Sequence, residues 1–222
     1  MARRGHERAV LVIGLGRFGG TLAETLQRLD HDVIAVDTDR DLVQEWSAQL
    51  THVVEADATS EAAMRQLGVQ DVPRAVVAIG SDIEASLLAT GVLLDLGVPE
   101  VWAKAITRPH GRILERIGAS HVVYPERDAG ERVAHVLSGR LIDFIEFDDF
   151  AIAKLRAPQD VWEHSLSQSA LRSRYGVTIV GVKRPGADFS YAQAETVVRQ
   201  GDLLIVAGQT RQVERFAAET DG

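Results

Sequence analysis

A short β-branched run, AVLVI (residues 9–13), leads straight into Gly14-Leu15-Gly16-Arg17-Phe18-Gly19, and that loop leads straight into a helical pattern. Phe18, Leu22, Leu26 and Leu29 recur at four, four and three residues, one apolar helical stripe. Gly14 permits the tight strand-to-helix turn, Gly16 lets the backbone approach a pyrophosphate, and Gly19 lets the helix pack close to the sheet. A ligand phosphate then lies at the helix N-terminus, where free N–H groups and the macrodipole favour negative charge. An acid follows where such a unit needs one: the second strand, in VIAVDTDR, ends at Asp37, 18 residues past Gly19, with Thr38 and Asp39 behind it. Its carboxylate can accept hydrogen bonds from ribose hydroxyls and disfavours a 2′-phosphate, so NADP is not expected. With strand, helix and acid all in place, an adenosine-nucleotide site is favoured over a purely structural glycine turn.

The rhythm of strand and helix repeats as far as residue 140. Strand candidates are residues 9–13, 32–36, 52–56, 74–79, 100–105 and 121–123. They lack clean alternation of apolar and polar residues, as expected for strands covered on both faces. Helical patterns between them imply a doubly wound parallel sheet, a Rossmann-like α/β fold. The helix at 82–97 carries two apolar stripes, Ile83-Leu87-Thr90-Leu94 and Ala85-Leu88-Val92. Such a helix is buried twice, either in an enclosed core or on the sheet and in a subunit interface. Beyond Pro125 the character changes to one longer helix, then strands and short helices, with a turn at RPGAD. The reading is a basic tail at 1–8, a nucleotide-binding domain at 9–124, a connector helix at 125–141 and a small α+β domain at 142–222.

A net charge of −8 argues against nucleic acid as the main partner, since phosphate backbones need a basic face. With no cysteine there are no disulfides and no thiolate chemistry, and the cytosol is the expected compartment. No apolar run approaches the ~20 residues that cross a bilayer. The basic start MARRGHER is read as a solvated tail, with weak contact to anionic lipid as the alternative.

Further candidates fall at other strand ends: Asp57, Ala58 and Thr59 after the third, Gly80 and Ser81 after the fourth, and Lys104 near the end of the fifth. In open α/β sheets ligands lie outside the carboxyl ends of the strands. Each has a plain alternative: a helix cap, a turn, a solvated strand end. Arg17 is either a solvated loop residue or a cation facing phosphates, and a third phosphate would use it best, which favours ATP or ADP over NAD. Catalytic signatures are missing. The seven histidines show no metal or triad spacing, and no nucleophile elbow or Walker lysine follows the loop. A nucleotide bound as a signal is therefore expected, with a small NAD-dependent oxidoreductase as the alternative.

The motifs VIGLGRFGG, AVDTD, ATSEAAMRQLGV, VVAIGSDIEASLLAT, VWAKA, ILERIGA and VVYPERDAGERVA, in this order, resemble the RCK (regulator of potassium conductance) subunits of Ktr/Trk potassium-uptake systems, KtrA-like members of the TrkA family. The resemblance covers essentially the whole chain. It implies a regulatory homo-oligomer, dimers in an octameric ring, peripheral on the cytoplasmic face of the membrane beneath a separate potassium-translocating pore subunit. ATP would favour the conducting state and ADP the resting one. It implies that Arg17 and Lys104 lie near phosphates, that Asp37 holds the ribose, and that Asp57 and Ala58 lie near adenine. It implies that Glu126 of YPERD helps hold a divalent cation, magnesium or calcium; the residues alone make Glu126 a first-turn acid stabilising its helix. Arg172 matches an arginine that binds cyclic di-AMP in several relatives, while a proline common in that cleft is replaced near Ala192. It also favours an assembly surface on helix 82–97.

Overall fold

The structure, a computed structural model, describes residues 8–137 and 141–219. Residues 1–7, most of the expected basic tail, and 138–140 lie outside the described residues. Arg8, assigned to that tail, is instead tied to the sheet: its carbonyl accepts from the Asp32 N–H at 3.1 Å. The chain divides into two compact units, Met1–Glu126 and Arg127–Gly222.

The first unit holds six parallel strands, β1 (Ala9–Ile13), β2 (Asp32–Asp37), β3 (His52–Glu55), β4 (Arg74–Val77), β5 (Glu100–Lys104) and β6 (His121–Val123), in the order β3-β2-β1-β4-β5-β6. The helices are α1 (Arg17–Arg28), α2 (Arg40–Trp46), α3 (Glu61–Gln66), α4 (Ile83–Asp95) and α5 (Arg108–Ile117). The absence of polar alternation has its reason in β1: Val10 and Val12 join one core with Val33, Ala35 and Ala23, while Leu11 and Ile13 join the other with Val77, Ala89 and Leu93. Alternate side chains thus serve opposite cores, and both must be apolar. The order reverses direction on either side of β1, which opens a crevice at the carboxyl end of that strand.

Two helix faces differ from the expected stripes. In α1 the buried residues are Gly19, Gly20 and Ala23, whereas Leu29 is 64% exposed. The helix lies too close to the sheet for large side chains at the contact. A Cβ on Gly19 would stand 1.8 Å from the Gly14 carbonyl oxygen, and one on Gly20 would stand 2.0 Å from the Trp46 ring. In α4 the buried face is Ser86, Ala89, Thr90 and Leu93; only Thr90 belongs to an expected stripe, and the other three lie between the two. Thr90 satisfies its hydroxyl internally, donating to the Ser86 carbonyl at 2.7 Å. Ile83 and Leu88 are consequently 42% and 51% exposed.

The helix after β6, α6, covers Pro125–Leu137. Leu141, expected as its last residue, opens a strand instead and is buried in the core of the second unit. That unit holds an antiparallel sheet of β7 (Leu141–Phe147), β8 (Phe150–Arg156), β9 (Thr178–Lys183), β10 (Phe189–Tyr191) and β11 (Leu203–Gln209), ordered β10-β9-β11-β8-β7. β7 and β8 form a hairpin through Asp148, in the left-handed region at φ 54°, and Asp149. Helices α7 (Leu166–Ser169), α8 (Leu171–Tyr175) and α9 (Thr210–Glu219) complete it. Leu171, Tyr175, Val213 and Phe216 pack with Leu204 and Val206 of β11.

Candidate functional site

The carboxyl ends of the parallel strands surround one cavity of about 630 Å³. That is within the usual range of small-ligand pockets, ~300–1,000 Å³. Gly14, Gly16, Arg17, Phe18, Asp37, Thr38, Asp39, Asp57, Ala58, Thr59, Gly80, Ser81, Lys104 and Glu126 all line it. Gly19 does not; it lies beneath the loop, where it sets the helix-to-sheet distance. Arg172 belongs to the second unit.

The loop is fixed from several sides. Gly14, at φ +92°, donates its N–H to the Val36 carbonyl at 2.8 Å, and a Cβ there would meet the Ala78–Ile79 peptide at 3.1 Å. The Asp37 carboxylate accepts from the Leu15 N–H at 2.6 Å with one oxygen and from the Asp39 N–H at 2.9 Å with the other. The indole N–H of Trp46 donates to the Leu15 carbonyl at 2.9 Å. Asp37 therefore holds the glycine loop as well as facing the cavity. Sequence spacing assigned it to a ligand alone.

Capping separates α1 from its neighbours. Asp39, Ser60, Asp82 and Thr107 cap α2, α3, α4 and α5 through their side chains. Gly16 at the start of α1 supplies no side-chain cap, and no acid stands in the first turn. The first N–H groups of an α-helix have no intrahelical partner. Those of α1 open into the cavity and are suited to an anion.

Charged groups stand at most of the strand ends, with the two cations, Arg17 and Lys104, between Asp37 and Asp57 on one side and Glu126 on the other. Asp57 lies beyond β3 and Asp37 at the end of β2; Arg17 follows β1, Lys104 ends β5, and Glu126 follows β6. Asp57 accepts from the Thr59 hydroxyl at 2.7 Å and the Thr59 N–H at 2.9 Å, and these bonds hold its carboxyl below the usual carboxylate range. Asp57 and Thr59 thus form their own turn, and Ser60 is the helix cap. The Arg17 side chain makes no hydrogen bond among the described residues. Lys104 is 8% exposed; its Nζ donates to Glu126 Oε1 at 2.5 Å and lies 5.7 Å from the centre of the Phe18 ring. The bond from Lys104, with a smaller contribution from the Arg17 charge, keeps the Glu126 carboxyl below its ordinary range. Ile13, Leu42, Ala56, Ala78, Ile79, Asp82 and Ala85 also line the cavity. Their apolar or capping character gave no sign of this in the sequence.

This arrangement can hold an elongated molecule with hydroxyl or amine donors at one end and anionic groups at the other. Among the described residues no histidine, cysteine or tyrosine lines it.

Residues 10–125 match the family model of the TrkA-N domain, and residues 153–220 that of the TrkA-C domain. The chain is 36% identical over 210 residues to the Ktr system potassium uptake protein A of Bacillus subtilis (strain 168), covering 94% of this chain and 95% of that protein. It is 36% identical over 199 residues to the Ktr system potassium uptake protein A of Vibrio alginolyticus, covering 89% and 90%. Among solved structures, the GsuK channel bound to NAD shares the fold at a TM-score of 0.64 and 23% identity, with 92% of this chain spanning 38% of that one.

Proposed function

The chain belongs to the family whose members join a TrkA-N to a TrkA-C domain, and from that premise we propose that it is a cytosolic, nucleotide-sensing gating subunit of a potassium uptake system. One observation carries the reading: α1, alone uncapped among α1–α5, opens with Arg17 and Lys104 into a cavity whose other end is acidic. A nucleotide fits along this edge with its phosphates on α1, its ribose at Asp37 and its base beside Asp57 and Ala58. The effectors in this reading are ATP and ADP, and NAD or NADH would use the same groove. Asp37, Asp57 and Glu126 already accept hydrogen bonds from the protein and Lys104 donates to Glu126, an arrangement that favours holding a ligand over turning it over.

The partner is a separate potassium-translocating membrane protein, with the chain acting as a homo-oligomer, dimers in an octameric ring at the cytoplasmic face of the membrane. The outward Ile83 and Leu88 of α4 fit a subunit contact. Among the described residues no group of three or more His, Cys, Asp or Glu is placed to hold a metal ion. A divalent cation at Glu126 would thus take most of its ligands from the phosphates. In the second unit Arg172 is exposed, bonded at 3.0 Å to the Thr178 hydroxyl, and is the proposed contact for cyclic di-AMP.

Calorimetry of the purified protein with ATP, ADP, NADH and cyclic di-AMP, together with its mass in solution, tests the reading. ATP and ADP should bind at one shared site, with ATP the tighter. Binding of no adenine nucleotide would refute it, and turnover of NADH with carbonyl substrates would replace sensing by catalysis.

A further inference from the structure

Lys104 is the buried cation of the cavity, and it is already neutralised by the protein itself. Its Nζ is held by Glu126 Oε1 at 2.5 Å, and it has little freedom to turn elsewhere. A Cβ added at Gly80 would stand 2.9 Å from Nζ, and the Phe18 ring lies on another side. The two partners differ in solvation: the Lys104 side chain is 10% exposed and that of Glu126 64%. Any anion that reaches Lys104 must share it with Glu126 or displace it.

Resting on the nucleotide reading above, we propose that Glu126 is a built-in competitor for the phosphate-binding lysine, and that a polyphosphate takes Lys104 from it and frees the first turn of α6. An ammonium has three donors and could bond to both acceptors. Carboxylate and phosphate would then be like charges about 4–5 Å apart, which repel strongly in a half-buried site. Glu126 is the group that yields, because water can solvate its exposed carboxylate. The phosphate has further attachments in Arg17 and the α1 N–H groups. Glu126 is the second residue of α6, which opens in the first unit and continues into the second. Occupancy of the cavity is thereby reported to the helix that leaves it, and the effect grows with phosphate charge from AMP to ATP.

The test is calorimetry with AMP, ADP and ATP in EDTA, so that no metal ion bridges the groups, on wild type, Glu126→Gln, Glu126→Ala and Lys104→Met. Hydrogen exchange of the second-turn amides of α6, residues 129–132, which bond to the carbonyls of its first turn, is measured alongside. Both Glu126 variants should bind ATP about five- to tenfold tighter than wild type, the scale of one partly exposed ion pair, with a smaller gain for AMP. In wild type ATP should raise exchange of these second-turn amides of α6. In the Glu126 variants exchange should be high from the start and unmoved by ATP. Lys104→Met should weaken all three nucleotides and abolish the ATP effect on α6. The proposal is overturned if the Glu126 variants bind ATP no tighter in EDTA, or if ATP leaves α6 exchange unchanged in wild type. A wild-type chain that binds none of the three overturns the nucleotide reading itself, which is a distinguishable result.

Discussion

Gly16 and Gly19 are three residues apart in one loop, and the structure gives them separate tasks that a pair of alanine variants resolves. A Cβ on Gly19 would stand 1.8 Å from the Gly14 carbonyl oxygen and 2.9 Å from the Ala78 Cβ. Both neighbours are fixed, so α1 must retreat by about 1.5 Å to reach ordinary van der Waals separation. Overpacking of this kind costs ~1–3 kcal/mol, and a carbonyl oxygen that cannot rotate away belongs at the upper end. Alanine recovers ~1 kcal/mol of helix propensity, leaving Gly19→Ala about 2 kcal/mol less stable. The same retreat moves the α1 N–H groups beyond hydrogen-bond range of a phosphate, so ATP binding falls as well. A Cβ on Gly16 meets nothing within 4 Å, and φ there is −61°, open to any residue. Loss of a glycine cap and the stiffer unfolded chain nearly cancel, so Gly16→Ala should hold stability within ~1 kcal/mol. Gly16 lines the cavity, so a ligand seated on the loop would meet the added methyl, and ATP affinity should drop at least about tenfold, ~1.4 kcal/mol. Urea unfolding and calorimetry on the two variants read both quantities. If Gly16→Ala bound ATP like wild type, the phosphates would not lie on this loop. If Gly19→Ala were as stable as wild type, the close approach of α1 would not exist in solution.

Arg17→Ala should remove most of the preference for ATP over ADP, about five- to thirty-fold or ~1–2 kcal/mol, because an unpaired guanidinium acts on the extra phosphate charge; an unchanged ATP/ADP ratio would return Arg17 to solvent. Asp37→Ala should weaken ATP, ADP and NADH alike and also destabilise the fold by ~1.5–3 kcal/mol, since the Leu15 and Asp39 N–H groups lose their acceptor; a loss of affinity without loss of stability would contradict the second role. His110 is 2% exposed, its Nε2 has no partner among the described residues, and burial holds its pKa below the ordinary value. The unfolded chain takes up this proton first, so stability is complete above pH ~6.5 and declines below it by at most ~1.4 kcal/mol per pH unit. His110→Leu should flatten the urea-midpoint curve between about pH 5 and 6.5, and equal slopes for both proteins would remove His110 as the cause. Leu88→Glu, on the exposed face of α4, should lower the mass seen by light scattering while leaving ATP binding measurable; a wild-type mass would take Leu88 out of any subunit contact.

The sequence by itself determined the order of strands and helices in the first unit, because β-branched runs, glycine turns and caps act over a few residues and are written locally. It also marked the strand ends, and hence most of the cavity lining: Gly14, Asp37, Asp57, Gly80 and Lys104 each stand where a strand stops. The contact face of α1 was legible only at Gly19, read as the close approach of helix to sheet. Periodicity weighs large apolar side chains and ran on to Leu29, whereas a helix pressed onto a loop is selected for small residues, and Gly20 and Ala23 carry no hydrophobic signal. The same holds for α4, where Ser86 is buried outside both expected stripes and Thr90 is buried with its hydroxyl bonded to the Ser86 carbonyl within the helix. Asp37 could be assigned to a ligand from its spacing; its bond to Leu15, across 22 residues, required the β1–β2 pairing. Lys104 and Glu126 are likewise 22 residues apart, and only the placement of β6 beside β5 sets the start of α6 against the end of the fifth strand. In the second unit the hairpin at Asp148–Asp149 carries no glycine or proline to mark its turn, and its register is fixed by cross-strand neighbours. Tertiary structure decided these points because distance in space, and with it desolvation and charge pairing, depends on which strands lie side by side.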